Sequence, residues 1–340
     1  MLIPPIQPTL PKDVPTEAHV SACEQYGVPH EEIARAAALL RAGRLVAFPT
    51  ETVYGLGANA LDAEAVALIF KVKGRPNTSP IIVHVSSAEM VGEVAAAWPE
   101  KARVLAEHFW PGPLTLVVSK TAAVPDIVTA GLTTVGIRMP AHPIALALID
   151  RAQVPIAAPS ANPFTHVSPT VAEHVRRSLG NQVDFILDGG PCQVGIESTV
   201  LSVVEDLPVL LRPGGVSRQQ IEELIGVTAI AEHVPAGGHA SPGMHPRHYS
   251  PRTRLILVPD GQVPAAGEGA YLQVHQPAAG RVREAIIMPD DPSQYAARLY
   301  SALHELDACG YDWIAVETPG PGVEWEAVLD RLRRAADAGA

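Results

Sequence analysis

The sequence predicts an α/β protein with one large mixed sheet flanked by helices, followed by a second, smaller α/β unit of Rossmann-like pattern. Three observations support this fold class. Apolar strand patterns and amphipathic helix patterns follow one another without strict alternation, which is typical of a mixed sheet. A stretch rich in Gly, Pro and His, residues 229–251, interrupts them. Hydrophobic residues make up 47% of the 340 residues but aromatic ones only 5%, so the cores should consist mainly of aliphatic side chains.

The first unit begins with a helix that Gly43 closes, and a strand that Pro49 ends follows it. The further helices of this unit are predicted, in chain order, over 62–74, 87–98, 100–110, 143–152, 170–180 and 217–226. Its further strands are predicted over 80–85, 114–120, 134–140, 154–162, 183–190, 198–204 and 208–214. The second unit is predicted to contain strands over 254–259, 270–274, 285–289 and 313–319, and helices over 292–310 and 325–336.

These patterns divide the chain into four parts. Residues 1–29 are a proline-rich extension, residues 30–228 the first unit, residues 229–251 a linker and residues 252–340 the second unit.

Composition limits the class of protein. The net charge of −11 argues against a main role in gripping nucleic-acid backbone, although a local basic cleft is compatible with it. Three scattered cysteines without a CxxC fit a reducing compartment. The N-terminus lacks a signal-peptide pattern, and no apolar run reaches the ~18 residues that span a bilayer. We therefore expect a cytoplasmic protein without a membrane partner.

The stretch FPTETVYGLGANA, residues 48–60, places three hydroxyl side chains, Thr50, Thr52 and Tyr54, after a strand. It matches neither standard phosphate loop. Two interpretations stay open: a turn whose hydroxyls satisfy backbone groups, or a small polar pocket.

Several cationic and polar side chains have two interpretations each. Lys73 and Arg75 in KVKGRPNTSP either complement a helix dipole or hold a polyphosphate, and the surrounding Gly and Pro favour the second. Arg138 in an apolar strand needs a buried carboxylate or an anionic ligand, and we favour the ligand. His84 in an apolar strand is typical of a hydrogen-bonded core residue.

Further polar groups lie at strand ends, where ligands of α/β sheets gather. They are Ser160, Asn162, Ser198, Thr199 and Arg212. The sequence contains no GxSxG motif and no cysteine beside a histidine. A site of anion binders and hydroxyls suits reactions in which positioning and charge neutralisation carry catalysis, such as attack on a nucleotide phosphate.

In order, FPTETVYGLGANA, KGRPNTSPIIVH, WPGPLT, GIRMPAHP, PSAN, DGG, GIESTV and LLRPG resemble the YrdC-like domain of threonylcarbamoyl-AMP synthases, over residues 33–225. The linker and second unit resemble the two-domain, Sua-type members. The resemblance implies a YrdC-type twisted mixed sheet around a concave basic cleft. It also implies a nucleotidyltransferase that makes L-threonylcarbamoyladenylate and pyrophosphate from L-threonine, bicarbonate or CO2, and ATP with Mg²⁺. A separate tRNA threonylcarbamoyl transferase complex would pass the group to adenosine 37 of tRNA.

The resemblance also implies residue roles. Lys73 and Arg75 would be catalytic, and no protein side chain would bind the metal. The ATP site would comprise Lys73, Arg75, Ser79, Thr134, Ser160, Asn162, Ser168, Arg212 and Tyr249. The threonine site would comprise Thr50, Thr52, Tyr54, His84, Arg138, Ala158 and Ser198. Ser79 stands where the family often has Asn.

The linker stretch SPGMHPRHYSP, residues 241–251, contains too few ligands for a metal site, since only His245 and His248 are available. The resemblance implies instead a gate over the nucleotide site, turned at Gly243, stiffened by Pro246 and Pro251 and contacting ATP through Tyr249.

Two other functions compete with the synthase. One is an RNA-binding or ribosome-associated module that uses the same cleft, which the −11 charge disfavours. The other is a carbamoyltransferase of the hydrogenase-maturation type, whose zinc-finger segments need CxxC pairs that this sequence lacks.

Overall fold

The computed structural model of the chain describes Cys23, residues 26–231 and residues 247–336. Our predictions for Gly243, His245 and Pro246 lie outside the described residues. The helices are α1 His30–Arg41, α2 Ala63–Lys73, α3 Ala88–Val94, α4 Glu100–Phe109, α5 Asp126–Thr129, α6 Pro143–Ala152, α7 Ala172–Leu179, α8 Arg218–Ile225, α9 Pro292–Asp307 and α10 Glu326–Ala335. The strands are β1 Val46–Phe48, β2 Gly55–Asn59, β3 Val83–His84, β4 Leu114–Ser119, β5 Thr134–Arg138, β6 Ile156–Ala157, β7 Phe185–Ile186, β8 Thr199–Ser202, β9 Val209–Arg212, β10 Ala229–Ile230, β11 Arg254–Val258, β12 Gly269–Gln273, β13 Glu284–Ile287 and β14 Trp313–Glu317.

The strands form two sheets. Ten strands make a mixed sheet in the order β10-β9-β8-β4-β5-β3-β6-β2-β1-β7, and four make a parallel sheet in the order β11-β14-β12-β13. We call the parts built around them the N-terminal unit and the C-terminal unit. Both the mixed α/β class and the smaller, parallel second unit are confirmed.

Local sequence signals explain the helix that precedes the cationic loop. The Asp62 carboxylate accepts hydrogen bonds from the amides of Glu64 and Ala65, which caps the start of α2. Gly74, at φ 62°, ends the helix in the left-handed conformation that glycine adopts without strain. The chain therefore turns sharply between Lys73 and Arg75.

Three segments show how the observed elements differ from the predicted ones. Gly55–Asn59, for which we predicted no strand, forms β2 and pairs with both β1 and β6. The helix predicted to reach residue 98 ends at Val94, and the next residue, Ala95, bridges to Lys120. Ala229–Ile230, placed in the linker, extends the large sheet beside β9. Tertiary pairing decides each case, because short segments gain their hydrogen-bond partners only from distant chain. The four-part division and its boundaries remain predictions.

The two units share a hydrophobic core. Most of the second core comes from α9, α10 and the parallel sheet, but Val53, Val167 and Ile196 of the N-terminal unit belong to it as well. No helix among the described residues is both long enough and apolar enough to cross a membrane.

Gly195 lies at a close approach of the two units. A β-carbon built on it would lie 2.5 Å from the α-carbon of Ala297 and 2.6 Å from the carbonyl oxygen of Ala296, both on α9. The backbone of α9 therefore leaves room for a hydrogen atom only.

We expect Gly195→Ala to destabilise the protein by about 2–5 kcal/mol. Alanine at φ 75° costs about 1–2 kcal/mol, and forcing the β-carbon against α9 adds about 1–3 kcal/mol. Chemical denaturation would measure the loss. Gly190→Ala is the matched control, since Gly190 also has φ 75° but nothing lies within 4 Å of its built β-carbon. Equal losses in the two variants would contradict close docking at Gly195.

A pair of histidines stacks across the same interface. The rings of His174 on α7 and His304 on α9 lie 3.8 Å apart at an interplanar angle of 23°. Burial, then the neighbouring His304 and Arg177, lower the pKa of His174 from 6.5 to about 3. The folded protein therefore disfavours protonated His174.

We expect the free energy of unfolding to fall as the pH drops below about 6.5, and His174→Gln to reduce that slope. The unfolded chain binds a proton at His174 from about pH 6.5 downward, whereas the folded chain resists protonation until about pH 3. One proton corresponds to at most about 1.4 kcal/mol per pH unit, and less here because the ring is only half-buried. Denaturation curves at pH 7 and pH 5 would test this. Identical slopes for the two proteins would contradict it.

Candidate functional site

A cavity of about 50 Å³ lies where strand ends of the large sheet meet the 247–251 segment. It is lined by Thr50, Thr52, Val53, Gly55, Arg75, Ile82, His84, Arg138, Ala158, Pro159, Ser160, Glu197, Ser198, Arg212, His248 and Tyr249. Ten of these are among the residues that we predicted for the ATP and threonine sites.

Strand register brings part of this lining together. In the parallel pair β3–β5, His84 lies directly opposite Arg138. In the antiparallel pair β3–β6, it lies opposite Ile156, two residues before Ala158. Residues that are more than 50 positions apart in the sequence therefore meet at one place on the sheet.

Arg138 lies at the centre of a polar cluster. Its guanidinium forms an ion pair of 2.6 Å with Glu51, donates to the Thr52 hydroxyl at 2.9 Å and to the Gly112 carbonyl at 3.2 Å. The Thr50 hydroxyl completes the turn, because it accepts from the amides of Thr52 and Val53. Arg138 thus meets a buried carboxylate, the alternative that we did not favour, while it still faces the cavity.

His84 lines the cavity and is not merely a satisfied core residue. Its Nδ1 atom has no hydrogen-bond partner among the described residues. Burial, and then the charge of Arg138, lower the pKa of His84 to about 3. A neutral imidazole therefore lines the space beside Arg138.

Lys73 and Arg75, the two cations of the KGR sequence at residues 73–75, are buried with neutral partners. Lys73 donates to the carbonyls of Ser160 and Asn162, at 2.5 Å each, and to the Asn162 side chain at 3.4 Å. Arg75 donates to the hydroxyl and carbonyl of Ser79 and to the Pro80 carbonyl. Burial, followed by the charge of Arg212, lowers the pKa of Arg75 to about 10. Buried cations without a carboxylate partner are typical of an anion site.

The two motif residues face the cavity differently. Arg75 lines it, whereas the Lys73 ammonium is directed at the 160–162 loop, whose Asn162 also donates to the His166 carbonyl. In this conformation Lys73 fixes the loop, and contact with a ligand would require it to exchange one of these bonds.

Ser198, just before β8, and Arg212, at the end of β9, complete one side of the cavity. The Ser198 carbonyl accepts from Arg212 Nε at 3.1 Å and from Nη2 at 2.9 Å. The Ser198 hydroxyl bonds to Thr115 at 2.8 Å. Because β8 and β9 are antiparallel neighbours, this contact holds Arg212 against the cavity.

Residues 247–251, which we call the roof segment, cover one side of the cavity with His248 and Tyr249. The His248 amide donates to the Arg334 carbonyl on α10, and the Ser250 amide donates to the Thr165 carbonyl. The segment is therefore tied to both units. At φ 62°, Tyr249 adopts the left-handed conformation, and its hydroxyl has no partner among the described residues.

Glu197 is a buried carboxylate in this wall. One oxygen accepts from the Ser168 hydroxyl at 2.6 Å, and the other accepts from Tyr300 at 3.1 Å and from Arg331 Nε at 2.7 Å. Burial alone would raise its pKa, but Arg331, Arg212 and Ser168 outweigh burial and lower the pKa. The residue therefore stays ionised.

Comparison with known proteins identifies the family to which this chain belongs. The family model Sua5_yciO_yrdC, described as "Telomere recombination", matches residues 38–214, and the model described as "Threonylcarbamoyl-AMP synthase, C-terminal domain" matches residues 216–337. The threonylcarbamoyl-AMP synthase of Pyrococcus abyssi is 44% identical, covering 88% of this chain and 93% of the relative. This chain belongs to the Sua5 family. The threonylcarbamoyl-AMP synthase of Bacillus subtilis is 41% identical, covering 93% and 96% of the two chains.

A solved structure of P. abyssi Sua5 complexed with L-threonine is similar throughout both units. Its TM-score is 0.82 at 41% identity, with 89% of this chain and 94% of that chain covered. The two-domain Sua5 type inferred from the sequence is thereby confirmed.

Two predicted site residues of this Sua5 protein lie apart from the cavity lining. The Tyr54 hydroxyl donates to the Gly190 carbonyl at 2.8 Å and accepts from the Gly189 amide, so its ring is packed in the core. Thr134 lines a separate small pocket with Gly136 and Val200. A ligand role for either residue stays a prediction.

Three predicted ATP residues support the lining from behind. Ser79 accepts from Arg75, Asn162 accepts from Lys73, and Ser168 donates to Glu197. Their direct contact with a ligand also remains a prediction.

Sequence reasoning missed the two carboxylates, Glu51 and Glu197, and considered His248 only as a metal ligand. A signal was available, because Glu51 stands between Thr50 and Thr52, and Glu197 precedes Ser198. Buried carboxylates beside predicted buried arginines could have been expected as their partners.

We expect Arg138→Ala to weaken L-threonine binding by about 100-fold or more and ATP binding by less than about 5-fold. A buried charge-assisted bond to a carboxylate contributes about 2–5 kcal/mol, and Arg138 lies opposite His84, which the resemblance also assigns to the threonine site. Isothermal titration with each ligand separately would measure the two affinities.

The variant Arg138→Ala also leaves Glu51 buried without its partner. The double variant Glu51→Gln, Arg138→Ala is therefore the matched control, since it removes that uncompensated charge. Recovery of threonine affinity in the double variant, or equal loss for both ligands in the single one, would contradict the assignment of Arg138.

Proposed function

We propose that this chain synthesises L-threonylcarbamoyladenylate from L-threonine, bicarbonate or CO2, and ATP, with release of pyrophosphate. This is the first step in forming N6-threonylcarbamoyladenosine in tRNA, and it makes the protein a nucleotidyltransferase. The observation that carries the proposal is one cavity that brings the polar cluster around Arg138 together with the buried cation Arg75. Two curated relatives bear the name of this synthase and match nearly the whole chain.

Each end of the cavity suits one substrate. Arg138 and the Thr52 hydroxyl match the carboxylate and polar groups of an amino acid, and neutral His84 adds a ring nitrogen. Arg75, with neutral partners of its own, matches phosphate oxygens. An amino acid and a nucleotide bound in this way would present their reacting ends to each other.

The reaction needs positioning more than a nucleophilic side chain. The amine of threonine and CO2 form an N-carboxylate, whose oxygen attacks the α-phosphorus in line with the departing pyrophosphate. Arg75 offsets charge that develops on the leaving group, and Lys73 either joins it or keeps the 160–162 loop in place. The absence of a GxSxG motif or a Cys–His neighbour from the sequence fits such a reaction.

Magnesium fits the site as a companion of ATP. Glu197, the carboxylate in the cavity lining, is paired with Arg331, and the neighbouring Glu51 is paired with Arg138, so the triphosphate and water are the better ligands. Mg²⁺ supplies positive charge that neutralises phosphate oxygens. The binding of bicarbonate and the hand-over of the product to a tRNA threonylcarbamoyl transferase complex in the cytoplasm are parts of the same proposal.

The roof segment, residues 247–251, is positioned to act as a gate that controls access to the cavity. A cavity of about 50 Å³ holds a few water molecules but not a nucleotide. His248 and Tyr249 must therefore move for ATP to enter, and their return would exclude water from the labile intermediate. The alternative RNA-binding module is not favoured, because a roofed cavity of this size offers no groove for a strand.

Pyrophosphate release from ATP should depend on both L-threonine and bicarbonate. We expect at least a 10-fold higher rate with both present than with either omitted, because the N-carboxylate is the nucleophile. A coupled pyrophosphate assay on the full chain would measure it, with L-valine as a control that lacks the hydroxyl. Release that ignores threonine would overturn the substrate assignment, and salt-sensitive RNA binding without any turnover would favour the alternative.

A further inference from the structure

Arg331 of the C-terminal unit is buried completely, at 0% exposure. It lies on α10, and its guanidinium pairs with Glu197 Oε2 at 2.7 Å and with Asp330 at 2.7 Å. Arginine is almost never fully buried unless it is paired. Here one of its two carboxylate partners, Glu197, belongs to the cavity wall of the other unit, so the ion pair joins α10 to the site.

The same arginine supports the roof of the cavity. Its guanidinium lies 5.0 Å from the ring centre of Tyr249, and the Tyr300 ring stacks at 5.9 Å and 26°. A non-glycine residue at φ 62° costs about 1–3 kcal/mol and persists only where its surroundings fix it. Both of these ring contacts of Tyr249 come from the C-terminal unit.

The charge balance of the cavity gives Arg331 a second effect. Glu51 is neutralised by Arg138, and Glu197 by Arg331. With both carboxylates paired, the charges of Lys73 and Arg75 remain for an anion. Without Arg331, an ionised Glu197 would lie in the wall where a triphosphate must bind, and repulsion would oppose binding.

We propose that Arg331 is a positioning residue for the nucleotide: it neutralises Glu197 and fixes the Tyr249 ring, so the C-terminal unit completes the ATP site without touching the substrate. The inference rests on the proposed function, since it takes ATP as the ligand. It assigns the second unit a defined part in nucleotide binding.

Arg331→Met, which keeps most of the side-chain volume, should weaken binding of a non-hydrolysable ATP analogue by about 10–100-fold, as expected for loss of one partner of a buried charge pair. Threonine affinity should change by less than about 3-fold, because Arg138 has its own carboxylate partner. Isothermal titration on the full chain measures both. Arg333→Met is the matched control, since Arg333 is exposed on the same helix, and it should change neither affinity.

The rescue variant separates charge neutralisation from packing. Adding Glu197→Gln to Arg331→Met removes the uncompensated carboxylate and should restore analogue affinity to within about 5-fold of wild type. Arg331→Lys, which keeps the charge, should stay within about 10-fold even if the methionine variant is too unstable to assay. Thermal unfolding of every variant identifies those that fail to fold.

Unchanged analogue affinity in a folded Arg331→Met protein, equal loss for threonine, or no rescue by Glu197→Gln would each overturn the proposal. Analogue binding is measured without turnover. A wild-type protein that binds the analogue normally but releases no pyrophosphate would therefore defeat the proposed function and leave the role of Arg331 in nucleotide binding to be decided by the variants.

Discussion

The arrangement of the two units depends on the hydrogen bonds and the ion pair of the Glu197 carboxylate. This carboxylate is buried, ionised and shared: Ser168 bonds to it within the N-terminal unit, while Tyr300 and Arg331 reach it from the C-terminal unit. A buried carboxylate is stable only when its oxygens are bonded and its charge is offset. The N-terminal unit supplies the Ser168 hydrogen bond and the nearby charge of Arg212, and the C-terminal unit supplies the ion pair with Arg331, so the Glu197 side chain links the two units at the cavity.

Charge pairing then determines what the cavity can bind. Five buried cations surround or support it, Lys73, Arg75, Arg138, Arg212 and Arg331, whereas one carboxylate, Glu197, lines it and a second, Glu51, lies against Arg138. Each carboxylate is paired with one arginine, and Lys73 and Arg75 bond to neutral oxygens. The fold therefore holds positive charge in a place shielded from water, where a bound polyanion gains more than it would at the surface. The free-energy cost of bringing these cations together is part of folding, so ligand binding does not have to supply it.

The sequence predicted the secondary structure best where local signals are strong. The helices α2 and α8 and the apolar strands β4 and β5 were all expected, and side chains of Asp62 and Ser217 cap the two helices. It failed at β2 and β10, because these short segments are strands only through partners far away in the chain. The family resemblance predicted ten lining residues of the candidate site, but not Glu51 or Glu197 as the partners of its arginines.

By itself the sequence determined the two α/β units, the motifs at strand ends and the need of Arg138 for a negative partner, since these follow from residue type, periodicity and the cost of burying charge. Only the tertiary structure decided which carboxylate meets which arginine, that Lys73 is directed at the 160–162 loop, and that Tyr54 turns into the core. The physical reason is that burial and charge pairing depend on distances between residues far apart in the chain. Sequence spacing does not contain these distances, and strand register and domain docking create them.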